Sequence, residues 1–180
     1  MATVPGRLTI DDFEQLPQEL AENHELIDGE LVCVSGNSLK HNYIQGLIFS
    51  LLWSAARHQR SGIVLAEQEY DFGGNAHAPD VSFFGPEKQR LQEPDKRVQR
   101  FVPDLAIEVV SENDLFNALM RKKDRYRRCG TAEVWLISPQ SRELFVFSDQ
   151  GDAVLRADDE LATGLIPGFR IKVSQLFETD

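Results

Sequence analysis

The stretch 101–137, FVPDLAIEVVSENDLFNALMRKKDRYRRCGTAEVWLI, decides the fold, and it reads as strand, helix, strand. Leu105, Ala106, Ile107, Val109 and Val110 form a short apolar run between Pro103 and Ser111, the pattern of a strand covered on both faces. Glu108 stands in the middle of it. An ionised carboxylate in such a place is costly unless it is paired, protonated or bound to a metal. The plainer alternative is a glutamate on the solvated side of an antiparallel sheet. Apolar neighbours of both parities weigh against it.

The helix expected over 114–129 carries a second anomaly. Leu115, Leu119, Lys122, Tyr126 and Cys129 step by four, three, four and three, with Ala118 beside them, so they share one stripe. That stripe should pack on the sheet, and Lys122 lies at its centre. Arg121, Lys123, Arg125, Arg127 and Arg128 fall mostly on the solvent side. A lysine stem can run along an apolar face while its ammonium reaches water. With Glu108 on the preceding strand, a shared buried site is the better reading.

Working outward, Thr9 with Asp12 three residues later forms a helix start, and Pro17 ends that helix. Asp28-Gly29 between HELI at 24–27 and ELVCV at 30–34 predicts a hairpin. Ser38 caps a helix from about Leu39 to Arg60, with Ile44, Leu47, Ile48, Leu51, Leu52 and Ala55 at helical spacing. His41 lies on that same side, where a histidine is most often a core or capping residue. Residues 62–71 read as one strand and PDVSFF at 79–84 as another. Residues 85–100 read as an exposed loop or short surface helix. A second hairpin is expected around Asp149-Gln150-Gly151-Asp152, then a short terminal element at 173–177. These elements predict one α+β domain over residues 1–180, with an α/β core in which helices flank a mixed central sheet.

Composition bounds the rest. The chain has 180 residues, 42% hydrophobic and 27% charged, as in ordinary globular proteins. No apolar run approaches the ~20 residues of a membrane helix, and no basic-then-apolar leader opens the chain. The expected location is therefore the cytoplasm, with no membrane partner. Cys33 and Cys129 lack CxxC spacing and are expected to be reduced and structural. A net charge of −10 opposes passive attraction to nucleic acid. The run RKKDRYRR at 121–128 goes against that balance.

Asp80 opens one strand, Glu108 sits inside a later one, and Lys122 projects back from the following helix. Two converging carboxylates are the usual oxygen ligands of Mg²⁺, which keeps waters and phosphate oxygens as its other partners. A nearby ammonium can orient the attacking water and neutralise charge building on phosphorus. Acid, acid and lysine on this frame suit a metal-dependent phosphodiesterase.

The order of elements, with PD opening one strand and a buried glutamate in the next, resembles the PD-(D/E)-x-K nuclease superfamily. More closely, the chain resembles the Uma-two family of restriction-endonuclease-like proteins over nearly its whole length. The resemblance rests on HELIDGELV at 24–32, His41 at the head of the long helix, APDVSFF at 78–84 and PDLAIEVVS at 103–111. It rests further on the Lys122-to-Tyr126 spacing, Gly130, EVWLI at 133–137, LIPGFRI at 165–171 and the Leu176-Phe177 pair. It implies a restriction-endonuclease-like fold with N-terminal and C-terminal hairpin additions. It also implies a divalent metal, Mg²⁺ with Mn²⁺ able to substitute, held by Asp80 and Glu108, and DNA as substrate. Cutting both strands of a duplex would suit a homodimer.

One departure matters. E-x-K would place the lysine at position 110, on the sheet face of Glu108, and position 110 is valine. Lys122 is the candidate replacement, which makes Asp80, Glu108 and Lys122 the catalytic set. Two readings follow from this: a Mg²⁺-dependent endonuclease, or a weak or inactive relative that binds nucleic acid or protein.

Overall fold

The strands before and after the 114–129 helix pair in parallel, Leu105 with Glu133 through Val109 with Ile137, an arrangement that requires a crossover of a dozen or more residues. The computed structural model describes residues 6–34, 37–112 and 114–178. In chain order the elements are α1 (Ile10–Glu14), α2 (Gln18–Ala21), β1 (His24–Ile27), β2 (Glu30–Cys33), α3 (Leu39–Gln59), β3 (Ile63–Ala66), β4 (Glu69–Asp71), β5 (Ala76–His77) and β6 (Val81–Phe84). They continue with α4 (Pro86–Gln89), β7 (Val98–Gln99), β8 (Leu105–Val109), α5 (Phe116–Arg128), β9 (Glu133–Ser138), β10 (Glu143–Ser148), β11 (Gly151–Leu155), β12 (Glu160–Ala162) and β13 (Arg170–Lys172). A 3₁₀ turn at Val173–Leu176 follows.

The central sheet runs β11-β10-β9-β8-β6-β3 and is mixed, because only β8 and β9 within it are parallel. Alternation along β8 divides its residues between two cores. Leu105, Ile107 and Val109 meet Ile44, Ile48 and Leu52 of α3, together with Val81 and Phe83. Ala106 turns to the other face, where Tyr126 of α5 packs with Tyr70, Phe72 and Phe101. Glu108 belongs by parity to that second face.

Both hairpins form. Asp28 and Gly29 both take positive φ, 52° and 84°, as a two-residue turn of this kind requires. The Thr9 capping box and the Ser38 cap are also present. Residues 62–71 are not one strand. Glu67 adopts a left-handed φ of 52°, which ends β3 and passes the chain into a second sheet, ordered β2-β1-β5-β4-β7. This sheet lies under α1, with Phe13, Leu26, Ala76 and Val98 sharing a third core. Both cysteines are free, Cys33 being exposed and Cys129 partly buried. Among the described residues, no helix is long and apolar enough to cross a membrane.

Candidate active site

Strand register sets the two predicted positions on neighbouring strands, and both residues line one cleft. β6 and β8 pair antiparallel, with Val81 opposite Ile107, Ser82 opposite Ala106 and Phe83 opposite Leu105. One further step sets Asp80 across from Glu108. The Asp80 side chain caps the end of β8: Oδ2 accepts a 2.6 Å hydrogen bond from the Val109 amide and lies 3.2 Å from His41 Nε2. His41 is buried one turn into α3, so the long helix contributes to the site as well as to the core. Its protonation is favoured above the ordinary histidine range. Burial works against the imidazolium, but the hydrogen bond and charge of Asp80 outweigh it.

Glu108 is buried, at 8% exposure, and both its oxygens have partners. Tyr126 donates its hydroxyl to Oε1 at 2.7 Å, and Lys122 Nζ lies 3.0 Å from Oε2. The helical spacing of Lys122 and Tyr126 places both donors on the side of α5 that meets the strand. Burial pushes the Glu108 carboxyl up to about 8; the Lys122 charge opposes this, while Asp80 and Glu25 add to it. Burial opposes the Lys122 charge, but the ionised Glu25 beside it, joined by Glu108 where that carboxyl is ionised, holds it as an ammonium.

The site extends further than the sequence reading reached. Glu25 of β1 is buried and puts Oε1 2.9 Å from Lys122 Nζ, so the ammonium bridges two carboxylates. Glu25 Oε2 meets His77 Nδ1 at 2.9 Å, and His77 Nε2 lies 3.1 Å from an Arg125 nitrogen. Burial raises the Glu25 pKa, yet Lys122 and His77 together bring it down to about 2. Glu25 carries the same signal as Glu108, a carboxylate in a short apolar strand. His77 lies in a two-residue strand, too short to show any period.

The first half of the predicted α5 stripe does not pack on the sheet. Leu115 is the N-cap residue and is 73% exposed. With Ala118 and Leu119 it lines a cleft of about 860 Å³ that opens over the site. The basic run also divides differently from expectation. Arg125 is tied to Asp28, Asn75 and His77, Arg127 to Asp149 and the carbonyls of Thr131 and Ala132, and Lys123 to Asp124. Arg121 and Arg128 are exposed.

Asp28, Glu67, Glu69 and Asp114 join Glu25, Asp80 and Glu108 on the cleft wall, against Arg121, Lys122 and Arg125. Such a surface suits a cation more than a bare polyanion. Among the described residues, no group of three or more His, Cys, Asp or Glu side chains is arranged to hold a metal ion. Mg²⁺ does not require one, because one or two carboxylates with water and phosphate complete its shell. Asp80 and Glu108 are hard oxygen donors of that kind, so their chemistry suits such an ion.

Comparison with known proteins bears on the family and the fold. A family model described as "Uma2: Putative restriction endonuclease" matches residues 10–174. The crystal structure of "a putative nuclease belonging to DUF820" from Anabaena variabilis is similar, with a TM-score of 0.82 and 25% identity over 94% of this chain and 97% of that one. A DrdV-DNA complex aligns with a TM-score of 0.41 and 12% identity over 73% of this chain and 10% of the other, too remote to inform the site. No curated protein matches the chain.

Proposed function

The chain belongs to the Uma2 family, and from that premise we propose that it is a divalent-metal-dependent endonuclease that hydrolyses phosphodiester bonds in DNA, with residues 1–180 acting as one domain. The observation that carries the reading is the approach of Lys122 Nζ to 3.0 Å from Glu108 Oε2. It joins a helix-borne lysine to a strand carboxylate whose cross-strand neighbour is Asp80.

Asp80 and Glu108 are the residues that would hold Mg²⁺ or Mn²⁺. When bound, the ion polarises the phosphate and supplies an activated water. The chain's own groups then have separate tasks. The Val109 amide and His41 fix the Asp80 carboxylate. Tyr126 fixes that of Glu108. Lys122, held as an ammonium, orients the attacking water and offsets charge on the phosphate oxygens instead of removing a proton. Cutting both strands of a duplex from one site per chain calls for two copies.

The test is incubation of closed circular plasmid with the protein and Mg²⁺ or Mn²⁺. Wild type should nick or linearise it, a chelator should stop the reaction, and Asp80→Asn should abolish it. A wild type inert with both ions would reject the enzymatic reading in favour of a binding module.

A further inference from the structure

A lysine within a strand is aimed by the pleat, whereas one on a helix reaches the site on a flexible four-carbon stem and needs another means of aiming. Lys122 has two carboxylates to hold it: Glu108 Oε2 at 3.0 Å and Glu25 Oε1 at 2.9 Å. Glu25 is itself held. Its Oε1 also accepts the Ala78 amide at 3.3 Å, and its Oε2 meets His77 Nδ1 at 2.9 Å. Arginine can only donate, so the 3.1 Å contact between Arg125 and His77 Nε2 makes that ring nitrogen the acceptor and leaves the ring proton on Nδ1, pointing at Glu25. Arg125 in turn spans to Asp28 at the tip of the β1–β2 hairpin, at 3.1 and 3.2 Å. The hairpin, β5 and α5 are thus joined through one line of polar groups ending on the Lys122 ammonium.

We propose, resting on the nuclease reading above, that Glu25 is a positioning residue: oriented by His77 and Arg125, it aims Lys122 at the Glu108 side of the site and so replaces the E-x-K spacing that Val110 has removed. Glu25 acts through Lys122, not through the metal. This accounts for the presence of a second buried carboxylate on a strand remote in sequence from the other two.

The experiment uses the full chain and two independent readouts. In the metal-free protein, lysine acylation is followed by mass spectrometry, with Lys96, whose side chain is 52% exposed, as internal reference. Glu25→Gln should raise Lys122 labelling relative to Lys96 by about tenfold, the equilibrium weight of one charge-assisted hydrogen bond. Separately, Mn²⁺ affinity by calorimetry should stay at the wild-type value while plasmid turnover falls about 100-fold, as expected for a misaimed catalytic group, with KM unchanged. Glu25→Asp, which keeps the charge, should recover part of the turnover. Unchanged Lys122 labelling in Glu25→Gln would overturn the proposal, and so would a collapse of Mn²⁺ affinity, which would make Glu25 a metal ligand. If Glu25→Gln does not fold by circular dichroism, His77→Gln should give a smaller labelling change of the same sign, and no change there would overturn it. If wild type cleaves nothing, the nuclease reading falls, and labelling still decides whether Glu25 aims Lys122.

Discussion

Lys122 Nζ lies 3.0 Å from Glu108 Oε2 although fourteen residues separate them in the chain, so α5 delivers a lysine to the strand face where E-x-K would have placed one. Val110 packs against the same core as Tyr126, which puts position 110 on the Glu108 side. Val110→Lys combined with Lys122→Ala should therefore return part of the plasmid cleavage that Lys122→Ala loses. A lysine in place of a packed valine should cost about 1–3 kcal/mol, read as a lowered denaturation midpoint. A folded double variant no more active than Lys122→Ala would mean that the two positions are not equivalent.

Through Glu108 and His41 the metal-free protein should lose stability as pH rises from about 5 to 8, against an opposing contribution from His77, whose pKa burial lowers and which therefore stabilises as pH rises. Glu108 is raised to about 8 by burial, so its contribution is complete below the ordinary glutamate value and is lost as pH climbs through 8. His41 is raised too, against its burial, by Asp80; its contribution is complete below the ordinary histidine value and is lost above it. Glu25 acts the other way: held down to about 2 by Lys122 and His77 against burial, it stabilises above the ordinary glutamate range and fails only in strong acid. Thermal melts should show the decline. Glu108→Gln, which removes the titrating group, should flatten it. Mn²⁺ should raise the melting temperature more at pH 8 than at pH 5, because the ion takes the place of protons. A melting temperature that climbs from pH 5 to 8 without metal would contradict this account.

Arg125 should behave as a structural residue. Its side chain is 16% exposed and joins Asp28, Asn75 and His77, so Arg125→Ala leaves several polar partners unpaired. It should cost about 2–4 kcal/mol in denaturant titration. Arg121→Ala and Arg128→Ala, at exposed positions, should change stability by about 0.5 kcal/mol or less. If these two meet phosphates, their joint removal should flatten the salt dependence of DNA binding by about two logarithmic units of slope. An unchanged slope would leave them as a solvated helix face.

The parts of this fold that were legible in the sequence are those long enough to show a period. β8 declared itself as an apolar run, and Glu108 as the one residue violating it. Lys122 was legible because α5 is long enough to define a stripe, although the same stripe misplaced Leu115, whose turn faces the cleft instead of the sheet. The second sheet was not legible, because β5 and β7 have two residues each and no alternation can show in two residues. The break between β3 and β4 rests on the left-handed backbone of Glu67, a conformation that a glutamate does not announce. Glu25 and His77 were missed for a related reason. Their roles come from contacts across 97 and 48 positions of chain, to Lys122 and Arg125 respectively, counting the separations between residue numbers, and spacing rules do not reach that far.

In the proposed site Lys122 serves as the nuclease lysine without being a metal ligand. The deciding measurement is plasmid cleavage by Lys122→Ala beside its Mn²⁺ affinity. Turnover should be lower by about 100-fold or more, the scale of a lost general-acid or electrostatic group, with metal affinity retained. Full cleavage by Lys122→Ala would contradict it.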